Sequence, residues 1–78
     1  MAAGTVAPME GRLRRVLENT WVGELHGYLI HIRKHNDSWY VWLMPGGQWT
    51  ERVLRVDSLE HGAKRARAWI EERLRRGH

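Results

Sequence analysis

The clearest hydrophobic period lies at the C-terminal end, where Leu59, Ala63, Ala66, Ile70 and Leu74 recur at steps of four, three, four and four residues. Those steps place all five on one stripe of an α-helix. Ser58 is a helix N-cap, Glu60 lies in the first turn, and Arg73, Arg75 and Arg76 supply the cations that the helix dipole favours at its far end. Ala63 and Ala66 are small enough to bring the helix close to a sheet, and Trp69 falls at the edge of the stripe, where it caps the core.

Upstream, from Trp21, the chain turns to aromatic and β-branched residues punctuated by Gly23 and Gly27. This predicts a strand over about 22–34 with a bulge or sharp bend. His35-Asn36-Asp37-Ser38 reads as a turn, Trp39 to Met44 as a second strand, Pro45-Gly46-Gly47-Gln48 as a second turn, and Trp49 to Val56 as a third strand. Met1 to Ala7 is featureless and predicts a frayed tail. Pro8, followed by Leu13, Val16 and Leu17 at helical spacing, predicts a short helix over about 8–18. The expected fold is α+β: a three-stranded antiparallel β-meander packed on a C-terminal α-helix, preceded by a short N-terminal helix (αβββα).

Pairing then assigns the faces. A four-residue first loop sets Lys34 opposite Trp39, so that Ile32 meets Val41 and Ile30 meets Leu43 on the core face. The opposite face carries Arg33 beside Tyr40, His31 beside Trp42 and Leu29 beside Met44. One helix covers one face of a sheet, which leaves this second surface for the N-terminal helix, a second subunit or a ligand. The third strand has two registers: a four-residue second loop turns Glu51, Val53 and Arg55 to the outer face, and a five-residue loop turns Arg52 and Leu54 there instead.

Composition narrows the classes. At 78 residues the chain makes one domain. It is 42% hydrophobic with five Trp, too apolar and aromatic for intrinsic disorder. With no Cys it is not a disulfide-stapled domain, a thiolate metal site or a thiol enzyme. Its apolar runs are short and no signal-peptide pattern is visible, so a cytoplasmic protein without a membrane association is expected. The net charge is +4 and eleven of the thirteen Lys and Arg residues are Arg, the side chain suited to bidentate phosphate or carboxylate contacts. Six cations against two acids in residues 61–78 carry most of the excess.

No catalytic constellation appears. His26, His31 and His35 have no Cys or carboxylate at ligand spacing, so no metal is expected. Pro45-Gly46-Gly47-Gln48 lacks the Lys-Ser/Thr and helix of a phosphate loop, and Ser38 and Ser58 serve a turn and a cap. The expectation is a non-catalytic binding module without cofactor.

Three strands followed by a helix, with Trp39-Tyr40-Val41-Trp42 as the second strand and Val56-Asp57-Ser58-Leu59 leading into an Ala-containing helix, form a pattern over about residues 27–72. It resembles the arm-type DNA-binding domains of tyrosine-recombinase integrases and the plant ethylene-response-factor domains. The resemblance implies a sheet face that meets nucleic acid through Arg33, Tyr40, Trp42 and either Arg52 or Arg55. With a helix over 8–18, the order also resembles double-stranded RNA-binding domains, although Glu60 and His61 make the start of the second helix poorly basic for that role. The candidate contact residues are His31, Arg33, Tyr40, Trp42, Arg52 and Arg55. Nucleic acid is the leading partner. The alternative is an acidic protein partner met by a small inhibitor or adaptor of phage or mobile-element type, since Trp, Tyr and Arg also dominate protein interfaces. A homodimer through the exposed face or an edge strand is compatible with either.

Overall fold

The structure, a computed structural model, describes residues 5–6 and 13–77. The fold is α+β. Strands β1 (Thr5–Val6), β2 (Leu13–Leu17), β3 (Thr20–Leu25), β4 (Tyr28–His35), β5 (Ser38–Pro45) and β6 (Arg52–Val56) form one antiparallel sheet in chain order, followed by helix α1 (Leu59–Arg76). β1 is a two-residue bridge beside β2, and β2 to β6 are the five full strands. Among the described residues no helix is long and apolar enough to cross a membrane.

The sheet is larger than the pattern predicts, for two local reasons. His26 and Gly27, with φ of 52° and 84°, form a two-residue turn in the left-handed region, the turn whose twist suits a hairpin. It divides the expected strand over 22–34 into β3 and β4. The expected helix over 8–18 is a strand over Leu13–Leu17, and residues 8–12 lie outside those described. Leu13 sits opposite Gly23 and is fully buried. Arg15 pairs with Trp21 and Leu17 with Thr20, so Val16 is an extra residue in a β-bulge. The bulge breaks the alternation and gives the stretch its helix-like spacing. Within the expected tail over 1–7, Thr5–Val6 forms β1, and the other residues lie outside those described.

The first hairpin has the expected pairs: Lys34 with Trp39, Arg33 with Tyr40, Ile32 with Val41, His31 with Trp42, Ile30 with Leu43 and Leu29 with Met44. Its loop is shorter than expected, because His35 pairs with Ser38 and only Asn36-Asp37 turn the chain. The second connection is longer, running over 46–51 rather than 45–48, and β6 begins at Arg52 instead of Trp49. Gly46 and Gly47 both take positive φ, of 65° and 72°, as the chain leaves β5.

The helix stripe closes the core through Ala63, Ala66 and Ile70, with Leu59 partly buried beside them, whereas Leu74, the last residue of the predicted stripe, is 37% exposed. Gly62, Ala63, Ala66 and Ile70 are buried in α1, against Ile30, Ile32, Val41, Leu43, Leu54 and Val56 of the sheet. Gly62 marks the closest approach: a methyl group there would sit 3.1 Å from Val41 Cγ2 and 3.2 Å from Val56 Cγ2. Ser58 caps the helix, its Oγ accepting the His61 backbone N–H at 3.1 Å. At the other end Trp69 meets Tyr28 edge-to-face, with centroids 5.8 Å apart. The Tyr28 hydroxyl donates to Glu51 at 3.0 Å, and Arg73 Nε donates to the second Glu51 oxygen at 2.7 Å. One carboxylate therefore ties β4 to α1, and burial together with this bond raises the Tyr28 pKa.

Candidate functional site

All described helical cover lies on one side of the sheet. The other side is crossed by rows of side chains set by the register. One row runs Leu17, Thr20, Arg33, Tyr40 and Arg55. The next runs Arg14, Val22, His31, Trp42 and Val53, and a third holds Glu24, Leu29 and Met44. Tyr40 and Trp42 therefore stand on β5, next to the edge strand, with Arg33 and Arg55 on either side of Tyr40, His31 and Val53 on either side of Trp42, and Arg14 farther along the Trp42 row on β2.

Of the six candidate residues, the structure brings five to this face and takes one away. Arg33 is exposed, Tyr40 and Trp42 are half-buried, and Arg55 is exposed with Nη2 donating to Ser38 Oγ at 3.3 Å. Arg52 pairs with Leu43 and so stands on the helix side of the sheet, at its rim. The connection over 46–51 has an even number of residues, like the four-residue alternative, and the same parity turns Val53 and Arg55 outward. Glu51, placed on the outer face by that alternative, precedes β6 and its carboxylate binds Tyr28 and Arg73.

His31 lies on the expected face and is half-buried there. Its ring packs 5.2 Å from Trp42, centroid to centroid, and its Nε2 is enclosed without a hydrogen-bond partner among the described residues. Burial, then the Arg33 charge, lowers its pKa from the ordinary histidine value and keeps it neutral. His31 is half-buried, like Tyr40 and Trp42, and its ring packs on Trp42.

The Trp42 ring is also 6.1 Å from Tyr40, the two planes tilted by 47°. Arg33, His35, Tyr40 and Trp42 wall an open groove of about 340 Å³. His35 was assigned to the turn on sequence grounds, yet it lies two residues beyond Arg33 on the same strand and face. The Asn36-Asp37 pair was the available signal for extending that strand. Arg14 was also missed, because its segment read as helix.

Charge pairing separates this face from α1. Arg67 pairs with Glu71, Arg73 with Glu51, and Arg75 and Arg76 with Glu72, so much of the basic C-terminal segment is neutralised within the fold. Arg14, Arg33 and Arg55 have no carboxylate partner among the described residues. No group of three or more His, Asp or Glu able to hold a metal occurs among the described residues.

No protein-family model, curated protein or solved structure matches this chain. The sheet has five full strands where the sequence pattern predicts three.

Proposed function

We propose that this protein is a non-catalytic nucleic-acid-binding module that works through the outer face of its sheet. The observation that supports this reading is the arrangement on one face of Arg33 and Arg55 beside the Tyr40–Trp42 pair and of Arg14 farther along the Trp42 row, none with a carboxylate partner among the described residues. Arginines supply phosphate attraction, and rings supply surface for bases. The His31 ring packs beside Trp42.

The test is a fluorescence titration with mixed-sequence duplex DNA, single-stranded DNA and RNA at two salt concentrations. Trp21, Trp39 and Trp69 pack against the core, so a change in emission on binding reports Trp42, with Trp49 in the loop. Binding is expected to weaken steeply with salt, and the Arg33→Ala, Arg55→Ala double variant is expected to lower the slope of log affinity against log salt by about two, one for each lost phosphate contact. An unchanged slope in a folded double variant would remove these arginines from the interface.

A second reading, binding of an acidic protein by an inhibitor or adaptor of phage or mobile-element type, is supported by Val53 and Leu17. They end two rows of the face and are 46% and 69% exposed. An apolar border suits a protein interface core. Absence of any nucleic-acid response at low salt would favour that reading.

A further inference from the structure

Resting on the nucleic-acid reading, we infer that the ligand is a single strand, DNA or RNA, whose unpaired bases stack on Tyr40 and Trp42 in the groove between Arg33 and His35. Two features of the face select this form over a duplex.

The first is width. Five full strands at a spacing of about 4.8 Å span about 19 Å. The major groove of B-DNA is about 12 Å wide and admits a helix or a two-stranded ribbon. Tyr40 and Trp42 lie on β5, with β6 on one side and β2 to β4 on the other, so the flanking strands meet the phosphate ridges before the rings reach base edges. A single strand has no such ridges and can lie across the sheet.

The second is the chemistry of the groove. Its walls are two aromatic rings, an imidazole and a guanidinium, all of which recognise flat π surfaces. In a duplex those surfaces are hidden by stacking between base pairs. In a single strand they are free to be splayed onto protein rings. The Tyr40 and Trp42 rings, tilted by 47° to each other, both line the open groove. Arg33 and Arg55 flank Tyr40 in its own row, placing positive charge beside the phosphates that precede and follow a base held there. Arg14 ends the neighbouring row and extends the charge across the sheet.

The experiment compares the intact chain's affinity, by fluorescence anisotropy at low and moderate salt, for labelled oligonucleotides of one length: single-stranded DNA, single-stranded RNA, the matching duplex, and a single strand whose central positions are abasic. The abasic strand keeps every phosphate and loses the bases. Single strands are expected to bind at least tenfold more tightly than the duplex, and the abasic strand roughly tenfold or more weaker than its parent. Tyr40→Ala, checked to fold by its circular dichroism spectrum and a cooperative thermal transition, is expected to bring the normal strand down to the level of the abasic one. The DNA and RNA arms identify which sugar is accepted. Equal or tighter duplex binding overturns this inference and leaves the nucleic-acid reading in place. An abasic strand that binds as well as its parent overturns the stacking. Failure of all four ligands at low salt overturns the nucleic-acid reading itself.

Discussion

Neighbouring residues on β4 and β5 meet opposite fates. Ile30, Ile32, Val41 and Leu43 are completely buried, whereas their alternates Leu29, His31, Tyr40 and Trp42 are half-buried and Arg33 is exposed. Backbone, strand pairing and turns are shared, and only the presence of α1 differs. One face therefore stabilises the fold, and the other carries bulky aromatic surface that folding leaves only partly used. Large side chains retained on an uncovered face are candidates for binding, because burying them against a partner remains available.

That contrast is broken most directly by paired truncations. Ile30→Ala on the covered face is expected to cost about 2–5 kcal/mol, the range for removing a fully buried aliphatic side chain. Tyr40→Ala on the open face is expected to cost about 1 kcal/mol or less. Urea denaturation of both variants checks the difference, and comparable losses would show that the outer face is a second core.

The covered face is tested next at its closest contact. Gly62→Val places branched carbons where a single methyl already lies 3.1 Å from Val41 Cγ2, and overpacking of this kind costs about 1–3 kcal/mol. A thermal midpoint equal to the parent's would show that α1 can lift from the sheet without loss.

The smallest effect sharpens the other side. The pKa of His31 is lower in the folded chain than the ordinary value near 6.5, so below that value the unfolded chain binds more protons than the folded one. Stability from this group is complete above the unfolded pKa and is lost as pH falls from about 6.5 towards the lowered folded value. His31→Phe keeps a ring beside Trp42 and removes the titration. Unfolding curves at pH 7.5 and pH 5 are expected to differ less in this variant than in the parent, and an equal loss would assign the acid sensitivity elsewhere.

How much of this was legible depended on how strictly each segment alternates. Leu29 to Met44 keeps a period of two on both strands of the hairpin, so the six pairs from Leu29–Met44 to Lys34–Trp39 and both faces were readable, and the His35–Ser38 pair was read as turn. The α1 stripe and its Ser58 cap were equally direct. Leu13–Leu17 was not, because the bulge at Val16 puts Leu13, Val16 and Leu17 at helical spacing while only Leu13 is buried. Gly27 was visible as a bend, yet its pairing with His26 in a two-residue turn required counting β3 and β4 as separate strands. The site shows a similar division. The face of His31 followed from alternation, but the contact of its ring with Trp42 and the enclosure of its Nε2 are properties of packing that no periodicity encodes. Arg52 and Arg55 were separated only by the parity of the connection over 46–51.

Because every strand pairs with its neighbour in the chain, the sheet can assemble by successive short closures. Hairpins of this kind form in about 1–10 μs, and short loops keep the entropic cost of each closure low. Three of the four turns between full strands hold only two residues, so contact order within the meander is small and rapid folding is the natural consequence. The helix that covers the apolar face follows the whole sheet in sequence. During synthesis the meander therefore emerges with Ile30, Ile32, Val41 and Leu43 uncovered until residues 59–76 arrive, an interval in which this face is open to chaperones or to other nascent chains.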